Sequence, residues 1–193
     1  QDSKKLLVAN PRGRVLVVGV EGGAPPKLEG SIDLASFTTD SGSLAMPVTH
    51  LAVSPCGRRA ALGIQGQAVV LVDLEDMSTK GLCNSPAPIA ACAFSASGEE
   101  LFLGTLDGGD QCLQVFDVQA CQLKEEYKRH ARVLAERLKL LQSEISSLAC
   151  HPKNTHSLVV VTGNGFCNLD LSKGLGDEKK RKGGGGDPKQ RLP

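Results

Sequence analysis

Val48-Thr49-His50-Leu51-Ala52-Val53-Ser54-Pro55, Ile89-Ala90-Ala91-Cys92-Ala93-Phe94-Ser95-Ala96 and Ile145-Ser146-Ser147-Leu148-Ala149-Cys150-His151-Pro152 are three copies of one pattern. Each opens on a β-branched residue and carries an apolar residue fourth, alanine fifth and an apolar residue sixth. The copies begin at residues 48, 89 and 145, so the intervals are 41 and 56 residues. A residue tolerant of positive φ follows each copy: Gly57, Gly98 and Asn154.

Working outward, a second apolar run follows each turn: Ala60-Ala61-Leu62-Gly63, Leu101-Phe102-Leu103-Gly104 and Leu158-Val159-Val160-Val161. A second turn comes near Gly66, at Asp107-Gly108 and at Asn164-Gly165; the two dipeptides favour hairpins because both residues accept positive φ. A third run closes each unit on an apolar residue followed by aspartate, Val72-Asp73, Phe116-Asp117 and Leu169-Asp170. At the start of the chain, Leu6-Leu7-Val8-Ala9, Gly13 and Val15-Leu16-Val17-Val18 read as the back half of a further unit.

Strand, turn, strand, turn, strand at a spacing of about 40 residues is the mark of propeller blades. A blade lies between two neighbours and buries both faces, so its strands are nearly continuous in Val, Leu, Ile and Ala instead of alternating with polar residues. A β-sandwich with hairpins of similar size does not require the same Ala and Gly offsets in consecutive units. The expected fold class is therefore all-β, a partial propeller of about three and a half blades. Its remnants span residues 4–20, 48–74, 89–118 and 145–171. The units resemble WD repeats in which the aspartate of the Trp-Asp pair is kept, the tryptophan is replaced by Val, Phe or Leu, and the Gly-His pair is absent.

Two segments interrupt the spacing. Gly22-Gly23-Ala24-Pro25-Pro26 opens a segment read as a flexible surface loop running to about Pro47. Residues 123–143 read as a helix, because Tyr127, Ala131, Leu134, Leu138 and Leu141 step by four, three, four and three. Lys124, Lys128, Arg129, Arg132, Arg137 and Lys139 make its other face mostly basic. Two compatible readings stand for this helix: packing on the propeller rim with a solvated charged face, or a functional face that either docks a partner through Tyr127, Leu134, Leu138, Arg129, Arg132 and Arg137 or turns its basic side to RNA. Beyond Ser172 the pattern dissolves into Lys179-Lys180-Arg181-Lys182, four glycines and further charges. Residues 172–193 are expected to be disordered, and the basic run suits nuclear import or contact with RNA phosphates.

Catalytic chemistry finds no foothold in the sequence. There is no phosphate-cradling loop ending in Lys-Ser/Thr and no Gly-x-Ser-x-Gly elbow. His50, His130, His151 and His156 sit at unrelated places, and Asp73, Asp117 and Asp170 recur at one repeat position. Aromatic content of 3% with no Trp argues against a base-stacking platform for single-stranded RNA. Seven cysteines without metal-ligand spacing read as reduced structural thiols of the cytosol or nucleus. A net charge of +1 gives no global pull toward nucleic acid or membrane, and no apolar run is long enough to span a bilayer. No cofactor, metal or small-molecule substrate is expected, and the chain is read as a non-enzyme.

The order of these features is more specific than the repeat itself. Lys4-Lys5-Leu6-Leu7-Val8-Ala9, Gly22-Gly23, Leu51-Ala52-Val53-Ser54-Pro55-Cys56-Gly57, the charged insertion and Ile145 through His151-Pro152 follow one another collinearly. Over residues 4–171 this resembles the C-terminal propeller of the cirhin family, WD-repeat subunits of the nucleolar small-subunit processome. The resemblance implies a scaffold role in pre-rRNA processing and 18S rRNA maturation, with support of rRNA transcription. It implies partners among the WD-repeat and helical subunits of the processome, the pre-ribosomal RNA and small nucleolar RNPs, and a nucleolar address. Relatives carry an N-terminal propeller and continue into another blade, so this sequence, which begins at Gln1, reads as a fragment or truncated product. The competing reading is an unrelated WD-repeat adaptor, such as a ubiquitin-ligase substrate receptor or a trafficking scaffold.

Overall fold

The computed structural model of the chain describes residues 5–10, 13–20, 24–34, 38–39, 42–43, 47–64, 68–107 and 109–172. The turn residues Gly66 and Gly108, the basic run Lys179–Lys182 and nearly all of the segment expected to be disordered lie outside them, as does the side chain of Leu141.

Among the described residues, four antiparallel sheets of three or four strands follow one another along the chain. The first holds β1 (Lys5–Ala9), β2 (Arg14–Gly19) and β3 (Lys27–Asp33); a short ladder, β4 (Thr38–Thr39) with β5 (Gly42–Ser43), comes next. The second sheet is β6 (Val48–Val53), β7 (Arg59–Ile64), β8 (Ala68–Asp73) and β9 (Thr79–Asn84). The third is β10 (Ile89–Phe94), β11 (Glu100–Thr105), β12 (Leu113–Asp117) and β13 (Gln122–Leu123). After a 3-10 turn at Glu125–Tyr127 and the helix α1 (Lys128–Leu141), the fourth sheet is β14 (Ile145–Cys150), β15 (Ser157–Thr162) and β16 (Gly165–Asp170).

The repeat is visible in hydrogen bonds that sequence patterns only hint at. The first turn of each unit is closed by a backbone bond from the residue after the first strand to the first residue of the second: Asn10 N to Arg14 O, Ser54 N to Arg59 O, Ser95 N to Glu100 O and His151 N to Ser157 O. Side chains reinforce it, since Ser54 Oγ accepts the Arg59 amide at 3.0 Å and Ser95 Oγ the Glu100 amide at 3.1 Å. Gly13, Gly57 and Gly98 stand at φ of 78°, 73° and 75°, where a Cβ would be strained. In the fourth unit Asn154 does not take a positive φ. There His151 Nδ1 accepts the amides of Lys153 (3.1 Å) and Asn154 (3.0 Å) and shapes the turn instead. The last hairpin also turns one residue earlier than expected: Thr162 pairs with Gly165, so Gly163 and Asn164 are its central residues.

The recurring aspartates are turn-makers. Asp73 Oδ1 accepts the Glu75 amide, Asp117 Oδ1 the Gln119 and Ala120 amides, and Asp170 Oδ1 the Ser172 amide, all within 3.0 Å. The next residue, Leu74, Val118 or Leu171, sends its amide back to Arg58, Glu99 or His156. Leu34 does the same to Gly13, which makes Asp33 the aspartate of the first unit.

The first unit therefore runs to residue 34 and carries the front three strands of a blade, not its back half. β3 lies in the segment read as a loop. Its two apolar residues, Leu28 and Ile32, share a parity that suggests one face, but a bulge at Glu29 sends them to opposite faces: Leu28 pairs with Val18 and Ile32 with Val15. The fourth strands β9 and β13 also escape a search for apolar runs, because β9 is Thr-Lys-Gly-Leu-Cys-Asn and β13 has only two residues.

Strand register divides each sheet into two faces. The front holds Val15, Ala60, Leu101 and Leu158 at equivalent places; the back holds Leu16, Ala61, Phe102 and Val159. The front of the third sheet (Leu101, Leu103, Phe116) packs on the back of the second (Ala61, Val69, Leu71). The front of the fourth (Leu158, Val160, Leu169) packs on the back of the third (Phe102, Leu113, Val115). Repetition of back onto front is the rotation that generates a propeller. The second sheet, sandwiched on both sides, has every residue from Ala60 to Ile64 buried.

Candidate interaction site

α1 is an element that the repeat does not require. Ala131, Leu134, Ala135 and Leu138 are at most 3% exposed and share a core with Phe102, Val115, Leu158 and Val160. The apolar stripe is thus filled by the third and fourth sheets, and Leu134 and Leu138 have no surface left for a partner. Tyr127 is half-buried against the same core. This corrects the reading of Leu134 and Leu138 as part of a docking face. Amphipathic spacing reports that a face is buried, not what buries it.

The start of the insertion is pinned by a polar contact. Glu100, 9% exposed at the head of β11, accepts hydrogen bonds at one oxygen, Oε1, from Lys124 Nζ at 2.6 Å and Tyr127 Oη at 2.9 Å. Burial, helped by the Glu100 carboxylate, pushes the Tyr127 phenol well above its ordinary range; the hydrogen bond to Glu100 raises Lys124. Burial and the same carboxylate push the Cys150 thiol up to about 12. Sequence inspection passes over Glu100, because the equivalent positions in the other units, Arg14, Arg59 and Ser157, are all polar.

The outward side of α1 is less basic in space than in sequence. Arg132 Nε meets Asp110 Oδ2 at 3.1 Å, and Lys128 pairs with Glu125. Arg137 is half-buried and donates from Nη1 to the Asn168 carbonyl at 3.2 Å. Arg129 and Lys139 are exposed, and so is Leu140, at 86%.

Further apolar surface is open on the two outermost sheet faces. Leu6, Val8 and Leu28 are exposed on the back of the first sheet, and Val161 and Phe166 on the back of the fourth, where they pair across β15 and β16. Among the described residues no group of three or more His, Cys, Asp or Glu side chains converges as a metal site. No helix among them is long and apolar enough to cross a membrane.

This architecture is that of a WD40-repeat β-propeller, present in part, with one helical insertion. A crystal structure of the WD40 repeats of RRP9 superposes with a TM-score of 0.59 at 15% identity, over 84% of this chain and 42% of that one. The chain thus spans well under half the length of that propeller structure. As many as 1194 chains of solved structures match, so the likeness carries the fold and no particular activity. No protein-family model and no curated protein matches the chain.

Proposed function

We propose that the chain is part of a non-catalytic scaffold subunit of the small-subunit processome, acting in pre-rRNA processing and 18S rRNA maturation in the nucleolus. The observation that carries the scaffold reading is the use made of the residues. The recurring aspartates cap turns, the sheet faces pack on one another, and apolar surface remains open on the two outermost faces. Large exposed apolar surface on a β-protein is what a protein partner covers. The processome itself rests on the collinear resemblance to the cirhin family, with which a WD40 fold agrees.

Pairing of Arg132 and Lys128 with neighbouring carboxylates favours protein over RNA as the partner of α1. RNA contact, where the protein makes it, falls to Lys179, Lys180, Arg181 and Lys182, and is to phosphates, since no aromatic platform accompanies them. The test is affinity purification of the tagged full-length protein with identification of its protein and RNA companions, together with its localisation. Recovery of processome subunits and pre-rRNA from a nucleolar pool supports the proposal. A cytosolic protein bringing down ubiquitin-ligase or trafficking components overturns it.

A further inference from the structure

The first sheet sits on the second the other way round from the rest of the stack. Back onto front is the arrangement at the two later interfaces. At the first, the front of the first sheet (Leu7, Ala9, Val15, Val17, Ile32) lies on the front of the second (Ala60, Leu62, Ile64, Val70, Val72). A Cβ added to front-facing Gly30 would meet Met77, in the turn between β8 and β9, at 3.1 Å, in keeping with that side of contact. Equivalent sheets that share the same face are related by turning one over, not by rotation about a common axis.

Turning over leaves a second apolar face bare. On the back of the first sheet Leu6, Val18 and Leu28 form one cross-strand row, and Val8 with Leu16 begins the next. Leu6, Val8 and Leu28 are 54%, 44% and 58% exposed. The equivalent faces of the second and third sheets are covered by the following sheet.

One position distinguishes the first sheet from the later ones. In the third sheet the back position equivalent to Val18 is Gly104, and a Cβ there would stand 2.8 Å from Cγ2 of Ile145, the first residue of the fourth sheet. At the first interface the residue equivalent to Ile145 is Val48. Val18 places an isopropyl group where both later sheets carry glycine, Gly63 and Gly104, and where the seating of the fourth sheet on the third has room for none; a β-branched neighbour such as Val48 has few rotamers with which to yield.

We propose that the first sheet is a two-faced blade: its bare back, Leu6, Val8, Leu16, Val18 and Leu28, is an alternative docking face for the front of the second sheet, held off by Val18. When the back is seated, the front, Leu7, Ala9, Val15, Val17 and Ile32, becomes an outward apolar surface that fits the back of another sheet of this repeat. The inference rests on blade packing alone and stands apart from the assignment to the processome.

Disulfide trapping in the full 193-residue chain tests it. Neighbouring residues 16 and 17 face opposite ways, so Leu62→Cys combined with Val17→Cys reports the present seating, and Leu62→Cys combined with Leu16→Cys reports the turned one. Mild oxidation followed by peptide mass spectrometry separates these bonds from those of the native cysteines. The 17–62 bond is expected to dominate in the parent, and Val18→Gly to move the ratio toward 16–62 by roughly ten-fold, the scale of relieving one overpacked contact. An unchanged ratio in Val18→Gly overturns the proposal. A 16–62 bond that forms only between molecules and fades on dilution also overturns it, by making a second copy the occupant. Should Val18→Gly fail to melt cooperatively, Val18→Ala decides in its place: a shift in the same direction supports the proposal and no shift overturns it.

Discussion

Tyr127 Oη donates a 2.9 Å hydrogen bond to Glu100 Oε1, the oxygen that also receives Lys124 Nζ, and so ties the insertion to the head of β11. A hydrogen bond to a charged group is worth roughly 1.5–3 kcal/mol. Tyr127→Phe is expected to lower stability by an amount in that range, and Glu100→Gln to do so as well, in urea unfolding. The pH dependence has a definite sign. Tyr127 and Lys124 are raised above their ordinary values of 10.0 and 10.5 on folding, so their contribution is complete below about pH 10 and drains away as pH climbs through the folded values. Stability measured from about pH 8 to 11 should therefore fall less steeply at the alkaline end in Tyr127→Phe than in the parent.

Two leucines of the helix carry opposite predictions. Leu134, fully buried between the third and fourth sheets, should cost about 2–5 kcal/mol when cut to Ala. Leu140, 86% exposed, should cost under about 0.5 kcal/mol for the same change. Equal losses in denaturant titrations would mean that α1 is not seated on its apolar stripe.

Exposed faces predict self-association. Phe166, 75% exposed, and Leu28, 58% exposed, lie on the outermost backs of the stack. Phe166→Ser with Leu28→Ser should raise the concentration at which the chain stays monomeric in light scattering, with little change in melting temperature.

The thiols should separate by reactivity. Cys56 is exposed, and its hydrogen bond to Ser54, with Arg58 nearby, holds its pKa below 9.0. Burial pushes Cys92 and Cys112 up to about 12. Iodoacetamide at neutral pH should label Cys56 first, with a rate whose midpoint against pH falls below 9.0, while Cys92 and Cys112 react only on unfolding. Labelling of Cys112 at the rate of Cys56 would show that the third and fourth sheets do not stay packed.

Salt separates the basic elements. If Lys179–Lys182 bind RNA phosphates, replacing them with glutamine should flatten the fall of RNA affinity with salt, each phosphate no longer neutralised taking roughly one unit from the slope. Arg132→Gln and Lys128→Gln should change that slope less, because each already faces a carboxylate. Equal slopes in the parent and the tail variant would leave the tail as solvated surface.

Features confined to one segment are legible without a structure. The spacing of 48, 89 and 145, the glycines at positive φ and the closing aspartates concern neighbours a few residues apart, and they specify three repeated units without reference to the rest of the chain. The insertion is legible as an amphipathic helix for the same reason. What each face meets is settled only when the sheets come together. In Val15-Leu16-Val17-Val18 both sides of the strand are apolar, so the sequence does not rank Val15 above Leu16 for burial; the choice falls to whether the next sheet finds a Val18 or a Gly104 opposite its first residue. β3 is hidden by a bulge that exists only in its pairing with β2, and Glu100 acquires its role only when the chain brings Lys124 and Tyr127 back to it from 24 and 27 residues away. Packing of this kind is a property of two segments at once, and no single stretch of sequence contains it.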